Sequence, residues 1–254
     1  MRLRLAPLLT LLVLVAAWEA LVRLAHIPHY TLPAPSLVLQ TLVANFGSLA
    51  ASWWFTLKVT FGALALACAG GVLIASLFAL SRPLERALFP IAVVLQVTPL
   101  VAIAPLILIY VESTTAALLL CAWIVAFFPI LSNTVAGLRA ADPNLRDLFR
   151  LYRATPLQRL RLLLLPTALP YFVAGLKISG GLSLIGAVTA EMVAGAAGRE
   201  TGLASRILEA SFRTETPKMF AALALLVLTG VMIFWSFNAL SRALLARWHA
   251  SELD

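Results

Sequence analysis

Long apolar runs separated by short polar stretches rich in proline and arginine set the pattern of this chain. Six runs stand out, at about residues 5–25, 53–80, 85–110, 115–138, 167–194 and 218–243. Each approaches or exceeds the roughly twenty apolar residues that a helix needs to cross a bilayer. The pattern predicts an all-α polytopic membrane protein with about six transmembrane helices. The polar stretches are too short to hold a soluble domain, so the expected organisation is one transmembrane domain over residues 1–254.

Composition places the chain in lipid, with 62% hydrophobic residues and a mean hydropathy of +0.98, against roughly 45–50% apolar residues in a soluble domain. The formal charge of +8 then reads as loop anchoring. No basic soluble face with interleaved aromatics is present to follow a phosphate backbone, which excludes nucleic acid as a partner. With the N-terminus in the cytoplasm, that side collects Arg2, Arg4, Arg82, Arg86, Arg139, Arg146, Arg150, Arg153, Arg159, Arg161, Arg242 and Arg247. The other side receives only Arg199, Arg206, Arg213 and Lys218, so the positive-inside rule selects this orientation and puts both termini in the cytoplasm. The first run opens like a signal peptide, but it continues past Glu19 to Leu24 with no A-x-A-like cleavage site, so a retained first helix is expected. Cys68 and Cys121 lie in apolar runs without metal-site spacing and act as small hydrophobes. No cofactor or metal site is expected.

Between the first two runs, LPAPS (residues 32–36) is an extended stretch, with Ser36 placed to cap a short surface helix. Trp53 and Trp54 open the second run, where aromatic rings suit the headgroup level.

The most basic stretch, RDLFRLYRATPLQRLR at residues 146–161, carries five arginines. Asp142-Pro143 ahead of it is a helix start signal. Leu145, Leu148, Phe149 and Tyr152 recur at helical spacing as an apolar stripe, with Arg146, Arg150 and Arg153 on another face. Thr155-Pro156 repeats the start signal, and Gln158 completes a possible capping box. A second short helix is expected to end at Leu165-Pro166. On these residues alone two readings stand: an interfacial helix with its arginines on anionic headgroups, or a docking helix whose stripe fits a groove in another protein.

Resemblance separates them. LPAPSLVLQTL, VTPLVAIAPLILIY, FFPILSNTVAGL, LPTALPYFVAGLKIS and AVTAEMVAG occur here in the order and spacing seen in permease subunits of bacterial ABC importers. The chain resembles the nitrate, sulfonate and taurine branch, which also includes importers of thiamine-precursor pyrimidines and riboflavin. The resemblance implies a type I importer permease fold, with a core of five spans over about 53–243 preceded by an extra span at 5–25. It also implies a small-solute translocation path, ABC ATPase subunits, a periplasmic substrate-binding protein and a second permease copy as partners, and an inner-membrane location. In that family the loop between the fourth and fifth spans, here about 139–165, carries the signature E-A-A-x3-G-x9-I-x-L-P and forms the helix that couples to the ATPase. Aligned on Leu165-Pro166, the signature puts its acid at Asp147, its alanines at Leu148 and Phe149, its glycine at Arg153 and its isoleucine at Leu163. Leu145, Asp147, Leu148, Phe149, Tyr152, Arg153, Ala154 and Thr155 are thereby implied as coupling residues. Arg153 at the glycine position departs most. It must either take a costly backbone conformation or let the turn shift toward Thr155-Pro156, and the strong cap at Thr155 favours the shift.

The chain has no G-x-x-x-x-G-K-[ST] phosphate loop, so it is not expected to be an enzyme, and ATP hydrolysis is assigned to a separate subunit. Gln96, Thr98 and Pro99, with Pro105, mark a kinked third span whose freed carbonyls suit a path. Ser179 and Ser183 recur with Gly175 and Ala187 every four residues, a spacing shared by pore faces and by close helix packing. Glu191 near the end of the fifth span needs a partner, hydration or access to the interface, and in the family an A-E pair recurs near the outer mouth. Two other classes compete: a secondary transporter, for which Glu191 is the one plausible buried acid, and a membrane scaffold with a lipid-binding basic loop, which would leave the prolines of span three unexplained.

Overall fold

The structure, a computed structural model, describes residues 6–195 and 201–245, with side chains from Leu9. Arg2, Arg4, Arg199 and Arg247 of the orientation argument lie outside the described residues. Every regular element among the described residues is helical: α1 (Ala6–Leu24), α2 (Pro35–Ala44), α3 (Phe46–Leu80), α4 (Arg82–Val97), α5 (Leu100–Tyr110), α6 (Thr114–Arg139), α7 (Pro143–Leu151), α8 (Pro156–Arg159), a π-helical turn (Leu160–Leu164), α9 (Leu165–Ala194), α10 (Leu203–Phe212) and α11 (Thr216–Leu245).

Four stretches are long and apolar enough to cross a membrane: Phe46–Leu80, Thr114–Arg139, Pro156–Ala194 and Thr216–Leu245. The pair α4 and α5 qualifies jointly as a fifth, bent by 102° at its break. At 1.5 Å per residue neither half alone reaches the roughly 30 Å of a hydrocarbon core. The break falls at Thr98-Pro99, where Pro99 has no N–H to continue the ladder of α4 and its ring disfavours helical backbone at Thr98. Pro90 and Pro105 sit inside α4 and α5 without ending them. Span three is therefore broken at one proline rather than gently kinked by two. The first apolar run forms the 19-residue helix α1, which carries Glu19 and Arg23 and is not among these membrane-crossing stretches, so four or five spans stand among the described residues where six were expected.

The chain forms two compact units, one built from the N-terminal part through Phe55 with Ala194–Leu228, the other from Thr56–Val193 with Thr229 onward. In the first unit a carboxylate holds α1 to α2. Glu19 accepts from the backbone N–H of Ser36 at 2.9 Å, from Ser36 Oγ at 2.7 Å and from Arg23 Nε at 2.7 Å. Ser36 is thus not the cap of α2. It lies inside the first turn behind Ala34 and Pro35, and Glu19 satisfies its free N–H from another helix. Thr216 Oγ1 donates to the Tyr30 carbonyl at 2.8 Å, and Trp18 packs on Phe220 with ring centroids 5.9 Å apart. α3 begins at Phe46, so Trp53 and Trp54 lie two turns inside it rather than at its opening.

In the second unit α6 is the central helix, with Cys121, Ala122, Ala126, Ile130 and Leu131 wholly buried. Small residues let α9 approach it backbone to backbone. A Cβ on Gly175 would stand 2.7 Å from the Pro129 carbonyl oxygen, one on Gly186 2.9 Å from Ala122 Cα, and one on Gly137 2.8 Å from Ala168 Cα. Between helices in lipid, where burial of apolar surface adds little, such proximity supplies the dispersion contacts that hold the pair.

Candidate functional site

The α7–α8 loop is built by three local devices. Asp142 caps α7 by accepting from Asn144 N at 2.7 Å, with Pro143 at the first helical position. At the other end Ala154 N donates to the Phe149 carbonyl at 2.9 Å and Arg153 N to the Arg150 carbonyl at 2.9 Å. That pair of bonds is a Schellman closure, which requires a left-handed residue between helix and exit. Arg153 is that residue, with φ at +49°. The expected shift of the turn toward Thr155 therefore does not occur. Arg153 holds the conformation that glycine adopts without strain, which for an L-residue costs on the order of 1–3 kcal/mol. Thr155 then starts α8 with a complete capping box, its Oγ1 accepting from Gln158 N at 3.3 Å and its N–H donating to Gln158 Oε1 at 2.8 Å.

The second short helix does not end at Leu165-Pro166. It passes through the π-helical turn Leu160–Leu164 into α9. Pro166 brings no N–H and crowds the carbonyl one turn back, and a widened turn accommodates both.

The apolar stripe of α7 divides. Phe149 is half-buried and packs against the core of its unit. Leu145, Leu148, Leu151 and Tyr152 face outward, the last two 79% and 78% exposed. Leu157 of α8 adds to the exposed apolar surface. The sequence reading missed Leu151 and Leu157, because an apolar residue on nearly every turn of α7 leaves the solvent-facing row undefined. Arg146 shares a helix face with Arg150, but its head group is engaged within the fold. Its Nη2 donates to the carbonyls of Leu138 at 3.0 Å and Arg139 at 2.7 Å, placing a cation on the carbonyl end of α6. Asp147 pairs with Arg150 at 3.0 Å on the exposed side, and Ala154 is half-buried at the exit of the turn.

The expected path residues separate into three places. Gln96 is exposed near the end of α4, Thr98 caps that helix with its Oγ1 donating to the Val94 carbonyl at 2.7 Å, and Pro99 opens α5. Ser179 and Ser183 are fully enclosed. Ser179 Oγ donates to the Ala126 carbonyl of α6 at 2.6 Å, and Ser183 Oγ to the Gly180 carbonyl at 3.0 Å. Within the chain both therefore lie in the interior rather than on an open face, and Ser179 bonds directly across the α6–α9 contact. Glu191 is wholly buried, and Thr56 Oγ1 of α3 donates to its Oε1 at 2.8 Å.

Sequence reading also missed α10. Arg206 Nε donates to Ser52 Oγ at 3.0 Å and its Nη1 to Glu209 Oε2 at 2.8 Å, while Arg213 reaches Glu209 Oε1 at 2.9 Å. Accepting from Arg206 holds the Glu209 carboxyl below its usual range. The signal was Gly202 ahead of Leu203, Ile207 and Ala210, a helical spacing inside a stretch that otherwise looks polar.

These features, a broken span, close-packed apolar helices and a two-helix loop closed by a left-handed residue, describe a multi-pass helical membrane protein. The chain belongs to the family of binding-protein-dependent transport system inner membrane components, whose model matches residues 67–247. It is 33% identical over 238 residues to a probable ABC transporter permease protein of Haemophilus influenzae, covering 92% of this chain and 94% of that one. It is 34% identical to the riboflavin transport system permease protein RibX of Chloroflexus aurantiacus, covering 95% and 89%. With the formylaminopyrimidine transport permease protein ThiX of Halalkalibacterium halodurans it shares 31% identity, covering 95% of each. The inward-facing MetNI methionine ABC transporter shares the fold, with a TM-score of 0.66 at 22% identity over 77% of this chain and 95% of that one. The relatives are transport permeases, and neither the secondary-transporter nor the scaffold reading finds support among them.

Proposed function

We propose that the chain works as one of a pair, forming the membrane path of an importer energised by separate ATPase subunits that dock on α7. The observation that carries this is the Schellman closure at Arg153. It fixes the angle between α7 and α8 where the family signature has glycine, and α7 leaves Leu145, Leu148, Leu151 and Tyr152 uncovered. In this reading the α7–α8 loop and both termini are cytoplasmic, and α2 and α10 lie on the periplasmic side, where a substrate-binding protein delivers its load. The break at Thr98-Pro99, with Gln96 beside it, borders the path, and Glu191 with Thr56 holds its outer end. ATP-driven closure of the ATPases on α7 switches access from one side to the other. The names of RibX and ThiX point to a flat heterocycle as cargo, and a path without several buried charges suits a neutral or singly charged solute.

The test is reconstitution of the permease with a cognate ATPase and binding protein, followed by ATP-dependent uptake of riboflavin, a formylaminopyrimidine and an aliphatic sulfonate. Uptake of one of them that needs both partners supports the reading, and ATP-independent uptake by the permease alone overturns it. Orientation is read separately, with single cysteines at Ser48, Ser211 and Asn144 in a background lacking Cys68 and Cys121. An impermeant reagent applied to spheroplasts should label the first two positions only.

A further inference from the structure

A cavity of about 630 Å³ opens in the second unit beside α7, lined by the ends of α3 and α6, the first turns of α4, α7 itself and the residues from Arg159 to Leu164. Its wall carries six arginines, Arg82, Arg86, Arg139, Arg146, Arg150 and Arg159, against one acid, Glu85. Two of these cations are neutralised within the protein: Arg139 pairs with Glu85, and Arg150 with Asp147 at 3.0 Å. Arg146 spends its Nη2 on two backbone carbonyls, but its Nε is buried and has no hydrogen-bond partner among the described residues. Arg82, Arg86 and Arg159 make no ion pair among the described residues. Arg82 and Arg86 stand four apart on α4, a like-charge spacing that opposes helix formation.

Guanidinium groups gathered on one cavity, with a buried donor left over, are stabilised by an anion able to accept several forks at once. A phosphoryl group has the charge and the three or more oxygens for this, whereas a single carboxylate would leave most of the donors unused. The remaining wall is apolar, including Phe78, Phe89, Pro90 and Leu164, which suits an organic portion attached to the phosphate. The volume falls within the range of small-molecule sites, about 300–1,000 Å³. We propose that this cavity binds a phosphate-bearing anion, either an anionic phospholipid headgroup or a soluble phosphate. The assignment is independent of which solute is imported.

The test uses the purified permease–ATPase complex and reads its melting temperature with dioleoylphosphatidylglycerol, dioleoylphosphatidylcholine or inorganic pyrophosphate. Each ligand is added to the wild type, to Arg82→Gln/Arg86→Gln and to Arg82→Lys/Arg86→Lys. At a hundredfold excess over Kd, a bound ligand should raise the wild-type midpoint by about 5–10 °C. The glutamine pair should lose most of that shift while melting at or slightly above the wild-type temperature without ligand, because the like-charge pair on α4 is removed, and the lysine pair should keep part of it. A shift with phosphatidylglycerol alone identifies a headgroup, and a shift with pyrophosphate identifies a soluble phosphate. The proposal is overturned by shifts of equal size in the wild type and the glutamine pair, by equal shifts with phosphatidylcholine and phosphatidylglycerol, or by no shift with any ligand. Loss of ATPase copurification in the glutamine pair, without ligand-dependent shifts in the wild type, would assign the arginines to the ATPase interface instead and also overturn it.

Discussion

The hydroxyl of Thr56 on α3 donates to the carboxyl of Glu191 on α9 at 2.8 Å, both side chains wholly enclosed. An acid in such a place costs stability unless its oxygens are satisfied, so the two helices are tied where one of them would otherwise carry a liability. Thr56→Val keeps the shape and removes the donor. It should lower stability by about 1–3 kcal/mol, read as an earlier thermal transition of the purified complex, and Thr56→Ser should restore most of the loss. Glu191→Gln keeps an acceptor for Thr56, so it should assemble with the ATPase while reducing uptake. Equal melting of Thr56→Val and wild type would show that the bond carries no weight.

Two glycines of α9 form an internal control for the close approach of α6. A Cβ on Gly175 meets the Pro129 carbonyl oxygen at 2.7 Å, whereas one on Gly181 meets nothing within 4 Å. Gly181→Ala should therefore be neutral or stabilising by about 0.5–1 kcal/mol, the helix preference for alanine. Gly175→Ala should destabilise, by about 1–3 kcal/mol for a forced backbone shift. Unfolding of the two variants in mixed micelles gives the comparison, and equal stabilities would mean that α9 moves away from α6 at no cost.

Hydropathy made the long helices legible because a bilayer demands the same composition of every span, and Asp142-Pro143 and Thr155-Pro156 marked α7 and α8 because capping is local chemistry. What failed was anything fixed by a distant partner. Ser36 looked like a cap until Glu19, 17 positions earlier, was found to supply the acceptor. Ser179 fits a pore face or a packing face equally well from its spacing, and its bond to the Ala126 carbonyl, 53 positions away, is beyond what spacing can show. On α7 the helical period predicts a stripe but not which apolar residue turns toward the bundle, so Phe149 was grouped with residues that face away from it. The turn at Arg153 was misread for the opposite reason. Local preference argues against a left-handed arginine, and the surrounding loop overrides it.

Glu209 gives the α10 segment a pH dependence. Its carboxyl is held below the usual value of 4.5, first by the hydrogen bond from Arg206. With the folded-state value depressed, the pairing contributes in full above the usual range and is lost as pH falls through the lowered value. The melting temperature of the permease should therefore decline more steeply below about pH 5 in the wild type than in Glu209→Gln. Parallel declines would mean that the carboxylate titrates alike in folded and unfolded chains.

Arg153 pays a conformational cost that glycine would not. Arg153→Gly should keep the Schellman closure and ATPase association, with a stability change within about 1 kcal/mol because glycine's greater freedom in the unfolded chain offsets the relief of strain. Arg153→Val, branched at Cβ, should destabilise the turn more than arginine does. Both are read by copurification of the ATPase and by hydrolysis coupled to uptake. Full coupling in the valine variant would show that the angle between α7 and α8 is not fixed by this residue.

The divided stripe separates folding from docking within α7 and its C-cap residue Tyr152. Phe149 packs on the core of its own unit, while Leu148 and Tyr152 are exposed. Phe149→Ala should therefore lower the thermal stability of the permease by itself. Leu148→Ala/Tyr152→Ala should leave that stability unchanged and weaken the ATPase instead. Burying a side chain of this size is worth roughly 1.5–3 kcal/mol, and each 1.4 kcal/mol is tenfold in affinity, so losing both should cost at least about a hundredfold if each is buried on docking. If the outer face lay on lipid, the arginine on that side should matter as much, since a basic side chain contributes about 1 kcal/mol at an anionic surface. Arg150→Gln supplies that comparison without disturbing Arg146, which is committed to the end of α6. Copurification and substrate-stimulated hydrolysis should fall far more for the Leu148/Tyr152 pair than for Arg150→Gln. The reverse ranking would make α7 a membrane anchor and remove the docking role from its exposed face.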